Sequence, residues 1–341
     1  MTRRSGLPTF LLSLLLSVGL VAWLLSRIEL ADLGRTFTRI YLPSLGLYAG
    51  LALLNTGLRA YRYRLLLGPE RITAGGIFLV TLVRNLFVDL LPAKLGALSY
   101  IYLLVRRFGL PLELGASTFV LAAVFDALSL SPLLLLAVVM VGLGRTVLST
   151  AQFAALALVF LVLLGVLLVA LTPLLRWALR LATALLGWVG LGGRWKVPYL
   201  VEKARLTVDA VEAIQARGIY TVVLALSLVL RLTKYGALYF LLHALLANQG
   251  FPLAALNFWK VLLGIAGAEL SSNLPIQGLA GIGTWETAFA LAFRLMGYAE
   301  RIAIVAGFGL HLVTQLFEYT LGALAILLLA LPGLRDRRHR A

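Results

Sequence analysis

Apolar runs long enough to cross a bilayer alternate with short basic clusters along almost the whole chain, and two of the runs are broken by proline and glycine. Leu7 to Leu25 follows Arg3 and Arg4 and reads as a signal anchor with the N-terminus inside; it lacks a small-x-small cleavage site, so a removed signal peptide is the lesser reading. Ile28 to Ile40 mixes Glu29, Asp32, Arg35 and Arg39 with apolar residues, which predicts an interfacial helix on the outer face. Pro43 to Leu58 predicts a span back inward, with the run Arg59-Ala-Tyr-Arg-Tyr-Arg64 at the inner surface. A broken hairpin from Ile72 to Val105 comes next, then a span from Leu112 to Gly142 bent near Pro132, then a span from Phe153 to Leu171. Thr172 to Gly218 holds seven Lys and Arg and reads as a cytoplasmic segment. Within it Leu200, Ala204, Val208 and Val211 recur at helical spacing, predicting an amphipathic helix on the membrane surface with Trp177, Trp188 and Trp195 nearby as anchors. Ile219 to Leu246 spans outward, Ala254 to Gly297 forms a second broken hairpin, and Ile302 to Leu331 returns inward.

Each break follows a long apolar arm. The first carries Pro92 and Gly96; the second carries Pro275, Gly278, Gly281 and Gly283. Proline removes a backbone donor, and glycine opens left-handed angles, so neither stretch continues as a regular helix. Irregular backbone at membrane depth is tolerated only where protein buries it or it lines a watery cavity. The halves share one order of elements, yet the first hairpin enters from the cytoplasm and the second from outside. That is an inverted repeat, an arrangement associated with alternating access and a binding site at the membrane midplane. This topology places 19 Lys and Arg inside, against Arg27, Arg35, Arg39 and Arg145 as the clear outside ones. The expected fold is an all-α polytopic membrane protein of about six spans plus two re-entrant hairpins, or eight transmembrane segments by hydropathy. The expected division of this single membrane domain is a signal anchor (1–27), a first repeat (42–143), a connecting helix and basic segment (144–217), a second repeat (218–331) and a basic tail (332–341). Both termini are expected in the cytoplasm of an inner-membrane protein.

Composition agrees and narrows the function classes. A mean hydropathy of +0.98 with 61% hydrophobic and 13% charged residues excludes a soluble globular domain. The net charge of +16 lies at helix ends, where the positive-inside rule and anionic headgroups explain it without nucleic acid. With no cysteine, and with His243, His311 and His339 far apart, thiolate chemistry is excluded and neither a metal nor a cofactor is expected.

Charges inside the apolar segments carry the candidate chemistry. Arg84, Asp89, Lys94, Asp126, Arg231, Lys234, Glu269, Glu286 and Glu318 all fall there. Each would cost at least about 2.5–3.5 kcal/mol unpaired at the bilayer centre, so all are expected to face the bundle interior. Asn55, Arg59 and Arg62 share a helical face, as do Arg231, Lys234 and Tyr235, and as do His311, Gln315 and Glu318. Basic stripes of this kind suit an anionic headgroup, since Arg grips phosphate oxygens as a fork and Lys as a point charge. Acidic residues at the breaks would organise those cations or carry coupling protons. The competing reading is internal pairing, with snorkelling favoured for Arg59 and Arg64 and with Glu286 coupled to a cation such as Lys94 or Arg231. Arg59, Arg62, Arg84, Asn85, Asp89, Lys94, Asp126, Arg231, Lys234, Asn273, Gln277, Glu286, Gln315 and Glu318 are the candidate cargo-facing residues. No nucleophile-base pair stands out, so no catalytic residue is expected.

Several of these motifs resemble a known family. Leu274-Pro-Ile-Gln-Gly-Leu-Ala-Gly-Ile-Gly-Thr-Trp-Glu286 resembles the second-half signature of the lysylphosphatidylglycerol synthase transmembrane, or flippase-domain, family. Asn85 with Leu91-Pro-Ala-Lys-Leu-Gly96 resembles its first-half element, the run from Arg59 its basic element, and Phe125-Asp126 its intramembrane Asp. Ala97 and Tyr100 stand where the family usually carries an acid and an arginine, and Ala122 to Val124 replace its arginine before Asp126. No counterpart of the family's soluble aminoacyl-transferring domain is expected within these 341 residues. The resemblance therefore implies movement of a polar lipid between leaflets, with phospholipid derivatives, polyprenyl-phosphate-linked sugars and hopanoid-type lipids as candidate cargo. Membrane lipids are the expected partners. An intramembrane enzyme on a lipid-linked substrate and a non-catalytic partner of a separate lipid-modifying enzyme are the alternatives, and a homodimer stays open.

Overall fold

The structure, a computed structural model, describes residues 18–69, 71–91, 96–142, 150–190, 197–271 and 281–331. Pro92, Lys94, Asn273, Pro275, Gln277, Gly278, most of the signal anchor and the basic tail lie outside the described residues. The rest is helical: α1 (residues 18–25), α2 (Leu30–Thr38), α3 (Leu42–Leu67), α4 (Ala74–Leu90), α5 (Leu98–Phe108) and α6 (Leu112–Val141) form the first part. Then come α7 (Thr150–Trp188), α8 (Val197–Ala216), α9 (Tyr220–Leu246), α10 (Phe258–Ser271), α11 (Thr284–Leu295) and α12 (Glu300–Ala330). Among the described residues, four helices are long and apolar enough to cross a membrane, α6, α7, α9 and α12. A fifth is reached if α2 and α3, which meet at a 79° bend, count as one broken span.

Helix ends differ from the sequence reading where local chemistry sets them. Helix α3 runs nine residues past Leu58, through the basic-aromatic run, and stops at Gly68, whose φ of 106° ends the hydrogen-bonded series. Helix α7 runs past Leu171 to Trp188, because Pro173 deletes one backbone donor without reversing the chain. At about 58 Å it exceeds the hydrocarbon thickness, so its basic end around Arg176 and Arg180 extends into the headgroup region. Helix α10 starts at Phe258 and not at Ala254, since the Asn257 carboxamide oxygen accepts from the Trp259 and Lys260 N–H groups at 3.0 and 3.1 Å. The amphipathic helix exists as α8, but Leu200 is exposed, and Val208, Val211 and Ile214 do the burying. They pack on α6 and α7, so α8 belongs to the bundle as well as to its surface. Thr172 Oγ1 donates to Gln215 at 2.6 Å and the Arg217 guanidinium to the Leu65 and Leu66 carbonyls at 2.7 and 2.9 Å, which closes that corner.

The apolar core falls into two main lobes. One gathers Ala60, Tyr63, Leu66, Ile77, Tyr100, Leu104, Phe125, Val211 and Val223 around α4 and α5. The other gathers Tyr48, Tyr235, Leu241, Ile265, Phe289, Phe293 and Ile304 around α10 and α11. Three helices bridge them. Along α3, α9 and α12, the polar residues Asn55 and Arg59, Ser227 and Arg231, and Gln315 and Glu318 lie between the stretches committed to each lobe or to the smaller α4–α12 contact. These positions are near the middle of each helix. The fold therefore holds a polar belt midway along these helices, between two apolar lobes.

On the other side of α12 from the belt, α2 is anchored by Asp32, whose carboxylate takes a bidentate pair from Arg301 and a bond from Arg35. These hydrogen bonds, Arg301 first, hold the Asp32 carboxyl below the ordinary carboxylate range.

Candidate functional site

The belt is built around Arg62, whose side chain is completely inaccessible to solvent. One full turn along α3 from Arg59, it points into the contact with α9 and α6, where its Nη1 donates to Asp126 Oδ1 and to Ser227 Oγ, both at 2.8 Å. Arg231 approaches the same aspartate from α9, donating to the Asp126 carbonyl at 2.9 Å and standing 3.9 Å from its carboxylate. Arg59 donates weakly to Asn55 at 3.5 Å and lies close enough to Arg62, Arg84 and Asp126 to feel their charges. Asn55 is fixed in turn by bonds from its amide to Leu230 O and Thr233 Oγ1 at 2.6 and 2.8 Å. Arg84, on α4, donates to its neighbour Asn85 at 3.1 Å.

Three guanidiniums thus surround one carboxylate, with Arg84 close to Arg59. Arg59 Nε, Arg62 Nε and Nη2, Arg84 Nε and Arg231 Nε are buried donors without a partner among the described residues. A buried donor left unmade costs on the order of 1–3 kcal/mol, more when charged. The belt therefore holds unspent capacity for oxygen acceptors that carry negative charge.

Acidic groups flank this cluster. Lys234 and Glu269 form an ion pair between α9 and α10, and Tyr235 donates to the same carboxylate at 3.2 Å. Asp89 on α4 and Glu318 on α12 stand close enough to feel one another's charge. The second break is held by Glu286, which is 1% exposed. Its Oε2 accepts from the Gly283 N–H at 2.7 Å, and its Oε1 lies 2.5 Å from His311 Nδ1. His311 Nε2 meets Gln315 Nε2 at 2.7 Å, and Trp285 leans over the ring at 5.1 Å. Gly281 and Gly283 have φ of 75° and 90°, as the glycine spacing leads one to expect.

Two sequence expectations change. The run from Arg59 does not close the helix: α3 continues to Leu67, with Arg62 buried in the belt and Arg59 beside it. Arg64 does lie near that end, but it folds back to donate to the Ile72 and Pro69 carbonyls at 3.1 and 3.0 Å. Glu286 couples to His311 and not to Arg231, which belongs to Asp126. Among the fourteen candidate residues, the belt brings together Arg59, Arg62, Arg84, Asn85, Asp89, Asp126, Arg231, Lys234 and Glu318, with Glu286 and Gln315 grouped at the second break. Lys94, Asn273 and Gln277 lie outside the described residues.

Reading charges alone passes over Ser227 and Thr233. A signal exists, since Ser227 precedes Arg231 by four residues and so shares its face of α9. Tyr100 is held by packing: it is fully buried, its ring lies 4.4 Å from that of Tyr63, and its hydroxyl is 3.1 Å from Thr118 Oγ1.

The family described as lysylphosphatidylglycerol synthase TM region matches residues 10–322 of the chain. No curated protein and no solved structure matches it.

Proposed function

Because the chain belongs to the lysylphosphatidylglycerol synthase TM-region family, we propose that it moves a polar lipid, anionic or zwitterionic in its headgroup, between the leaflets of the membrane it spans. The observation that carries this reading is the set of buried guanidinium donors without partners on α3, α4 and α9. A phosphate entering the belt would meet them with oxygens that accept as charge-assisted bonds, while the acyl chains stay in lipid. Mid-depth is where such a site is useful, since a headgroup held there is equally far from both surfaces. In this reading the two broken hairpins, α4 with α5 and α10 with α11, form an inverted repeat whose rocking opens the belt to one side at a time. The cytoplasmic placement of both termini, in an inner membrane, belongs to the same proposal.

Arg59 and Arg84 are the donors for the test, because neither makes an ion pair to a carboxylate among the described residues. In vesicles reconstituted with the purified protein, fluorescent anionic phospholipid is expected to exchange between leaflets. Arg59→Gln or Arg84→Gln should slow that exchange on the order of tenfold or more, the worth of one charged hydrogen bond, with the melting temperature in detergent nearly kept. Exchange unchanged in both variants would sink the headgroup assignment. Chemical conversion of the lipid, in place of exchange, would favour the enzyme.

A further inference from the structure

The belt accounts for the arginines, but it leaves out the chain of contacts at the second break. Glu286 spends one oxygen on the Gly283 N–H and the other on His311, and His311 spends its far nitrogen on Gln315. The pair is enclosed: the glutamate side chain is 2% exposed and the histidine side chain 13%. A Cβ at Gly281 would already touch His311 Cε1 at 3.7 Å, so the imidazole sits against the broken backbone itself.

The geometry admits two protonation states that differ at Gln315. With a neutral imidazole carrying its hydrogen on Nδ1, that nitrogen donates to Glu286, and Nε2 accepts from the Gln315 amide nitrogen. With a proton added at Nε2, both ring nitrogens donate, and Gln315 must turn its carbonyl oxygen toward the ring. The added proton comes from water and forms one N–H bond; nothing else is made or broken. It changes the charge of the Glu286–His311 pair from −1 to zero, in a setting where an uncompensated charge is expensive.

We infer that Glu286, His311 and Gln315 form a proton-binding site at the start of α11, so that passage of an anionic headgroup is favoured when His311 is protonated. The inference rests on the lipid-transport reading. Its direction follows from Coulomb's law: a pair of charge zero at the break repels an incoming phosphate less than a pair of charge −1. The other charged groups on the elements around α11 and α12 have partners of their own. Arg301 with Asp32, Arg35 with Asp32, Arg294 with Glu300, and Lys260 on the Met296 carbonyl lie toward the N-terminal end of α12, which begins about 15 Å from His311. In the other direction, Glu318 with Asp89 and Glu269 with Lys234 face the belt, beside Arg84, Arg231 and the phenols of Tyr48, Tyr235 and Tyr319.

Trp285 supplies a readout that does not depend on transport, since an imidazolium quenches a neighbouring indole more strongly than a neutral imidazole does. The tryptophan fluorescence of the purified protein should fall as pH is lowered from about 8 to about 5, and His311→Gln should remove that component. An identical titration in His311→Gln overturns the proton site. In reconstituted vesicles, exchange of the anionic lipid should rise roughly threefold to tenfold over the same interval in the wild type and stay flat in His311→Gln. Exchange that is pH-independent in the wild type overturns the effect of the proton on transport while leaving lipid transport intact. No exchange at any pH overturns the transport reading and that effect with it, while the fluorescence still reports the proton site. Should His311→Gln fail to fold, Trp285→Phe takes its place: it should lose the fluorescence component and keep the pH-dependent exchange, and retention of that component overturns the assignment.

Discussion

Arg62 and Asp126 illustrate how much of the belt is decided residue by residue. An arginine with no solvent contact is tolerated only because Asp126 and Ser227 take two of its donations, and two further nitrogens stay open. Removing one member leaves the other buried and uncompensated. Asp126→Asn is therefore expected to lower stability by about 3–5 kcal/mol, and Arg62→Gln by a similar amount. The double variant should be less destabilised than the sum of the two, by about 0.5–3 kcal/mol of coupling. Thermal melting in detergent for the two singles and the double measures this directly, and simple additivity would mean that the ion pair contributes nothing.

Between elements, the decisive quantity is how closely backbones approach. At the first break the chain after Gly96 folds back on the end of α4: a Cβ on Gly96 would lie 1.6 Å from the Phe87 carbonyl oxygen and 2.5 Å from the Val88 nitrogen. No rotamer relieves that clash, because the obstacle is backbone. At the second break the restriction is angular, since a methyl at Gly281 would make only an ordinary contact with His311 Cε1 at 3.7 Å but the φ is 75°, a strain of about 1–2 kcal/mol for an alanine. Gly96→Ala is accordingly expected to disrupt the α4–α5 hairpin and lower the folded yield in detergent, while Gly281→Ala folds with a modest loss. Size-exclusion profiles and melting temperatures of the two variants provide the comparison; equal behaviour would show that the first hairpin opens without cost.

For the whole molecule, the charge bias predicts the side of the membrane that each end of the bundle faces: the α6–α7 connection and the turn at Asn248–Gly250 outside, the basic stretch before α8 and the C-terminal tail inside. The chain contains no cysteine, so single substitutions report cleanly. Arg145→Cys and Gln249→Cys are expected to react with an impermeant thiol reagent in intact cells, whereas Lys196→Cys and Arg338→Cys should react only after the membrane is opened. All four reacting from one side would remove the inverted repeat and, with it, the alternating opening of the belt.

The linear order of apolar runs, the two proline-glycine breaks and the clustering of basic residues between runs determined by themselves that this is a helical membrane protein with two interrupted hairpins. These are local properties: a backbone in lipid must satisfy its own hydrogen bonds, and that demand is written into each segment separately. Sequence also marked which charges were out of place, since an ionisable residue in an apolar run is conspicuous without knowing its partner. The pairings were a different matter. Arg62 meets Asp126 and Ser227 across 64 and 165 positions of chain, and Glu286 meets His311 rather than a cation, because partner choice depends on which helix faces are pressed together. Helical periodicity gives the face on which a side chain lies but not the neighbour it meets. Only the packing of α3 on α9, of α4 on α12 and of α11 on α12 turned three polar stripes into one belt between two dry lobes, with more guanidinium donors than it can satisfy.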